Sequence, residues 1–129
     1  MSRIAFIFPG QGAQTCGMGK DFYEQTETGK RVFDKASELL GFSMPQLCFE
    51  QNDRLDITEY TQAAMVTTSI AMMEVLEERG IKPDVAAGLS LGEYCALAAS
   101  GVMSAEDAIR TVRQRGILMQ EAVPVGEGA

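Results

Sequence analysis

The sequence predicts an α/β protein in which short parallel strands are covered by helices. Three observations carry that expectation. Residues 4–8 are a continuous apolar run ended by Pro9-Gly10. A strand, a tight turn and a helix follow one another around Gly88-Leu89-Ser90-Leu91-Gly92. Between them lies a helical stretch apolar on nearly every side. With 129 residues, 46% of them hydrophobic and 22% charged, the chain can bury one core but leaves no room for two ordinary domains.

Taken in order, Ile4-Ala5-Phe6-Ile7-Phe8 has the pattern of a strand buried on both faces. The glycine-rich loop after it, Pro9-Gly10-Gln11-Gly12-Ala13-Gln14 with Gly17 and Gly19, can turn sharply and bring backbone N–H groups close to a ligand. Helices are expected at residues 20–25 and 29–40, the second stopped by Gly41, and residues 52–56 have the composition of a surface loop. Residues 59–79 predict one long helix with Gly80 as its stop. Between Ala63 and Leu76 its only charge is Glu74, so neighbours must cover it on several sides. Pro83-Asp84 leads into a second strand at 85–87, and the turn at 88–92 opens a small-residue helix ending near Gly101. Ser104 caps a last helix that has Glu106 and Asp107 in its first turn and runs to about Glu121. Residues 1–122 read as one folded portion and residues 123–129 as a linker.

Charge and cysteine content exclude several functions. Eleven basic against eighteen acidic residues give a net charge of −7, which disfavours nucleic acid and anionic lipid as partners. No apolar run reaches the ~18 residues of a membrane span, and Met1-Ser2-Arg3-Ile4 lacks the build of a signal peptide. A soluble, cytoplasmic protein is expected. Cys16, Cys48 and Cys95 are an odd number at wide spacing, and with no histidine in the chain the usual zinc patterns cannot form. Reduced thiols and no metal site are expected. The missing histidine also means that a nucleophile here needs another base, or one supplied from outside the chain.

Three features can carry chemistry. The first is the G-x-S-x-G at 88–92, placed between strand and helix, where its glycines allow a strained turn that exposes the serine oxygen. The N–H of Leu91 then faces a developing oxyanion. Ser90-x-x-Glu93 fits a helix capping box equally well. The second is the loop after the first strand. Gly10-x-Gly12-x-x-Thr15 is one glycine short of a dinucleotide fingerprint, but the loop offers a backbone N–H at Gln11 on the same end of a parallel sheet as the serine turn. The third is Arg115. On the wheel of the last helix Ala105, Ala108, Ile109, Val112, Gly116 and Met119 form one stripe, and Arg115 falls inside it. A guanidinium turned toward the core needs an anion, either a structural carboxylate or a substrate carboxylate held bidentately, unless it snorkels out at the helix end. The eight methionines and Cys95 read as core filler, and Cys16 as a bystander in the loop.

At these residues the chain resembles the malonyl-CoA:acyl carrier protein transacylases. The motifs are Ile4-Ala5-Phe6-Ile7-Phe8-Pro9-Gly10-Gln11-Gly12, Tyr60-Thr61-Gln62-Ala63, Gly88-Leu89-Ser90-Leu91-Gly92-Glu93-Tyr94 and Arg113-Gln114-Arg115-Gly116-Ile117-Leu118-Met119-Gln120, in the family's order and spacing. The resemblance implies that Ser90 is acylated by malonyl-CoA, that the N–H groups of Gln11 and Leu91 hold the oxyanion, and that Arg115 binds the malonyl carboxylate. Gln62 matches a position lining the same pocket. The malonyl group would pass to the phosphopantetheine thiol of acyl carrier protein, in fatty-acid synthesis, with coenzyme A thioester as substrate and no bound cofactor.

Two departures from the family stand out. Leu89 occupies a position where histidine is common, and the family's downstream histidine base has no counterpart in these residues. The resemblance further implies an α/β-hydrolase-like parallel sheet. Residues 1–122 would be the amino-terminal part of the larger subdomain. Residues 123–129 would lead toward an inserted ferredoxin-like subdomain, and the carboxy-terminal strands would be missing. Such a piece is expected to be inactive alone and to need the remaining portion or a second chain. Alternatives are a serine hydrolase of related fold and a non-catalytic interaction fragment. Arg110 and Arg113 on the polar face of the last helix are candidates for carrier docking.

Overall fold

In the computed structural model, which describes residues 2–128, β1 (Ala5–Phe8) and β2 (Val85–Gly88) pair in parallel, with Ala5 opposite Val85 and Phe8 opposite Gly88. Parallel strands need a long crossover. Here it contains α1 (Lys20–Gln25), α2 (Glu27–Leu40), α3 (Met44–Phe49) and α4 (Thr58–Glu78), after which α5 (Gly92–Ala99) and α6 (Ala105–Ala122) follow β2. The strand starts are clamped by Asp84, whose Oδ2 accepts from Ile4 N–H at 2.6 Å and whose N–H donates to the Ile4 carbonyl at 2.7 Å.

The core is organised on α4, which is buried without a break from Thr61 to Thr68 and again at Ile70, Ala71, Met73 and Val75. That matches a helix with a single charge between 63 and 76. Val32, Phe33 and Ala36 of α2 and Ala108, Ile109, Val112 and Gly116 of α6 pack from their own apolar stripes. Gly116 lets α6 approach closely: a Cβ there would lie 3.0 Å from the Thr58 carbonyl oxygen and 3.1 Å from Glu59 Cα. Side-chain caps open three of the helices. Thr26 accepts from Gly29 N–H, Ser43 from Gln46 N–H, and Ser104 from Asp107 N–H.

Four expectations are corrected. The second helix starts at Glu27, two residues early, because Thr26 caps it and Thr28 and Gly29 are buried. α3 lies in a stretch without a predicted element, although Ser43 and the following Pro45 are a helix-start signature. Its single short turn of apolar residues, Met44, Leu47 and Cys48, is fully buried against the core. Met119, placed in the apolar stripe of α6, is 42% exposed. The reading of residues 4–8 as buried on both faces also differs from the structure. Phe8 is buried and Phe6 packs on the core, but Ile7 is 77% exposed. Burial on both faces needs a layer on each and neighbouring strands on either side, and a two-stranded sheet provides only part of this. A groove of about 370 Å³ accordingly runs between β1 and α4, walled by Phe6, Met18, Met65 and Met72.

Candidate active site

The turn between β2 and α5 is built around steric necessity. A Cβ on Gly88 would fall 2.1 Å from the Gly92 carbonyl atoms, and one on Gly92 would fall 2.4 Å from the Phe8 carbonyl oxygen. With both positions glycine the chain reverses within hydrogen-bonding distance of β1, and Leu89 N–H donates to the Phe8 carbonyl at 3.1 Å. Ser90 sits at the apex with φ +50°, the one non-glycine residue with positive φ among the described residues. Such a backbone costs about 1 kcal/mol or more and persists only where its surroundings enforce it. Here Gly92 N–H donates to the Leu89 carbonyl and Glu93 N–H to the Ser90 carbonyl, while the Leu91 side chain is buried beneath the turn. Ser90 itself is exposed.

The two readings of Ser90 separate at this point. α5 begins after Leu91 and has no side-chain cap, so the hydroxyl does not close a capping box. Instead Ser90 Oγ accepts from Arg115 Nη2 at 3.2 Å. The N–H groups of Leu91 and Gln11 have no backbone acceptor among the described residues. The Gln11 loop leaves β1 beside the turn that leaves β2, and Gly10 packs so closely on Leu89 that a Cβ would lie 2.9 Å from its carbonyl oxygen. Both loops therefore lie at the carboxyl ends of parallel strands, where open α/β sheets bind ligands.

Arg115 projects from α6 into this corner, half-buried. Its Nη1 donates to Gln62 Oε1 at 2.8 Å and its Cζ lies 5.6 Å from the Tyr94 ring centroid. Among the described residues no carboxylate pairs with it. A structural salt bridge is thus not what holds this guanidinium inward; it is steadied by an amide, a hydroxyl and an aromatic face, with donors left for an anion. Gln62 is 1% exposed. Its Nε2 reaches Gln11 Oε1 and Met119 Sδ, each at 3.2 Å, and Gln11 Nε2 donates to Thr58 Oγ1 at 2.9 Å. Ser90, Leu91, Gln11, Gln62 and Arg115 are thereby brought together. Thr58 and Met119 were not singled out as site residues; Thr58 is the first residue of α4, a position without a periodicity signal.

Of the two arginines expected on the polar face of the last helix, one is there and one is not. Arg110 remains exposed beside Asp107. Arg113 does not sit on an open polar face: it donates to the Glu59 carbonyl, lies 3.7 Å from the Glu59 carboxylate and stacks on Phe42 and Tyr60. It leaves the middle of α6 to pack on the start of α4 and on Phe42 between α2 and α3, with the Glu59 carboxylate beside its charge. Burial pushes the thiols of Cys48 and Cys95 up to about 12, and Cys16 is exposed. The buried pair is inert at neutral pH.

A serine on a strained strand-to-helix turn, at the carboxyl end of parallel strands and beside an arginine with no carboxylate partner among the described residues, is an arrangement that acyl-transfer sites of α/β proteins share. The chain belongs to the acyl transferase domain family, which it matches over residues 5–129. It is 55% identical over its whole length to a malonyl CoA-acyl carrier protein transacylase of Bacillus subtilis (strain 168), covering 41% of that protein. The crystal structure of the corresponding enzyme from Streptococcus pneumoniae superposes with a TM-score of 0.91 at 49% identity, covering 95% of this chain and 40% of that one. A structure of a type II PKS acyl-carrier protein in complex with its malonyl-transacylase matches with a TM-score of 0.89 at 42% identity, over 95% of this chain and 40% of that chain. The chain spans about two fifths of the length of these relatives.

Proposed function

We propose that these residues form the nucleophile-bearing part of a malonyl-CoA:acyl carrier protein transacylase that works in the cytoplasm in fatty-acid synthesis. The observation that carries this reading is the contact between Arg115 and Ser90, 3.2 Å from Nη2 to Oγ, with Nη1 fixed on Gln62. It sets a nucleophile directly beside a carboxylate clamp, so that both ends of one short acyl group fall within reach of the pair.

In this reading Ser90 Oγ attacks the thioester carbonyl of malonyl-CoA and its proton passes to a base. Arg115 exchanges its contact with Ser90 for the free malonyl carboxylate. The negative charge that develops on the carbonyl oxygen is taken by the N–H groups of Leu91 and Gln11. The C–S bond breaks, coenzyme A leaves as the thiol on receiving the proton, and a malonyl-serine ester remains. In the second half the phosphopantetheine thiol of the carrier protein attacks that ester, the C–Oγ bond breaks, and the proton returns to Ser90. With no histidine among 129 residues, the base comes from outside them. Every other step is performed by side chains and backbone amides, so the chemistry needs no resident cofactor. Three unpaired cysteines agree with a reducing compartment.

The fold belongs to the α/β-hydrolase-like kind. Residues 1–122 are part of its larger subdomain, and residues 123–129 lead toward a further one. Supporting this are the parallel β1–β2 pair, the turn at Ser90 and the incompletely covered β1.

The test is intact mass of the full native polypeptide containing these residues after incubation with malonyl-CoA. A malonyl adduct is expected on the wild type and not on Ser90→Ala. An adduct that persists in Ser90→Ala overturns the assignment of the nucleophile.

A further inference from the structure

The hydrogen bonds behind Ser90 form a chain with a single possible polarity. Arg115 is donor-only, so the Gln62 amide must turn its oxygen toward it, as it does at 2.8 Å. That leaves Gln62 Nε2 facing Gln11, whose oxygen accepts at 3.2 Å. Gln11 Nε2 is then directed outward and needs an acceptor, and Thr58 Oγ1 supplies it at 2.9 Å. The relay thus runs Ser90, Arg115, Gln62, Gln11, Thr58 and ends on the first residue of a buried helix.

Such an anchor matters because Gln11 is exposed on a loop with little stiffness of its own. Gly10 and Gly12 flank it, Gly12 with φ +115°. On the Gly10 side the loop is held by its close approach to Leu89. On the other side Gly12 N–H donates to Gln14 Oε1, and Gln14 Nε2 reaches Asp56 Oδ1. Between these two points an Ala13 N–H to Gly10 carbonyl bond at 3.4 Å closes the turn, and the Gln11 side chain, held by Gln62 on its inner side and by Thr58 on its outer side, adds the side-chain tether.

We propose that Thr58 is a positioning residue. By accepting from the Gln11 amide it fixes the Gln11 backbone, and with it the N–H that meets the oxyanion. This rests on the reading of Ser90 as the acylated nucleophile. Among the described residues Thr58 makes no hydrogen bond to Ser90 or to Arg115, so its removal loosens the oxyanion side of the site and spares substrate capture.

Steady-state malonyl transfer by the full native polypeptide tests this with Thr58→Val, which keeps the shape and removes the acceptor, and Thr58→Ser, which keeps the acceptor. Loss of one hydrogen bond of about 1 kcal/mol predicts a fall in kcat of about 3- to 10-fold for Thr58→Val, with KM for malonyl-CoA within about twofold. Thr58→Ser stays within about twofold of wild type on both parameters. In a Gln11→Ala background Thr58→Val adds no further loss, because the group it orients is gone. An unchanged kcat, a rise in KM alone, failure of serine to rescue, or additive losses in the double variant each overturn the proposal. Ser90→Ala separates the two levels. If it abolishes transfer while Thr58→Val matches wild type, the relay is wrong and the nucleophile stands. If Ser90→Ala transfers malonyl normally, or the wild type transfers none, the underlying reading falls and the relay with it.

Discussion

Arg115 holds two partners that cannot satisfy a cation fully, a neutral amide and a neutral hydroxyl. A carboxylate in place of one of them adds the opposite charge to the pair, a contact worth roughly 1.5–3 kcal/mol. Arg115→Ala is therefore expected to lower kcat/KM for malonyl-CoA by roughly 10- to 100-fold while leaving acetyl-CoA, which has no free carboxylate, little changed. Arg115→Lys is expected to recover only part of the loss, since an ammonium lacks the planar fork. Parallel kinetics on the two thioesters check both statements. At this scale the sequence was legible where a residue broke a pattern. Arg115 interrupts the apolar stripe of α6, and its inward position follows. Ser90 carried two readings that only the backbone angle and the missing α5 cap separate. Thr58 broke no pattern; its role depends on which way two glutamine amides point, and side-chain polarity leaves no trace in spacing.

The elements were most legible where hydrophobic periodicity was long or punctuation strong. α4, α6 and both strands begin and end within a few residues of the signals at Gly80, Ser104 and Pro9-Gly10. α3 was missed because six residues are too few to set up a period. A wheel misplaces Arg113 because it shows direction about one helix axis but not the aromatic residues, Phe42 and Tyr60, that neighbouring segments bring to it. The tightest element is the turn at 88–92, and it makes a quantitative contrast possible. At Gly92 an added Cβ meets the backbone of β1 at 2.4 Å, whereas at Gly80, with φ +86°, nothing lies within 4 Å. Gly80→Ala is expected to cost about 1 kcal/mol through its backbone angle alone. Gly92→Ala has to separate β1 from α5, an overpacking cost of about 1–3 kcal/mol or more. Urea unfolding midpoints of the two variants in the full native polypeptide check the order, which is reversed if the turn has slack.

The whole molecule has one core and one unfinished surface. α4 is wrapped, yet the two-stranded sheet leaves Ile7 77% exposed beside the groove of about 370 Å³, and Val85 63% exposed on the second strand. Strands this short gain little from pairing alone and rely on packed faces. Residues 1–129 produced alone are expected to bind an apolar dye, to self-associate and to melt without a sharp transition. A monomer with a single cooperative melt and no dye binding would contradict that. The apolar pattern at residues 4–8 marks a strand, as the structure has it; what such a pattern does not carry is how many of its faces a layer covers.

The pairing of β1 with β2 also sets an order in time. Ile4 and Asp84 are 80 positions apart, Gln11 and Gln62 are 51 apart, and Gln62 and Arg115 are 53 apart. At about 5–20 residues per second on the ribosome, β1 emerges several seconds before the strand it pairs with. Throughout that interval Ile4-Ala5-Phe6-Ile7-Phe8 is an uncharged, β-prone segment without a partner, the kind from which aggregates nucleate. The Pro9-Gly10 that ends it then serves nascent chains as a gatekeeper, keeping the sticky run to five residues until its neighbour has been made.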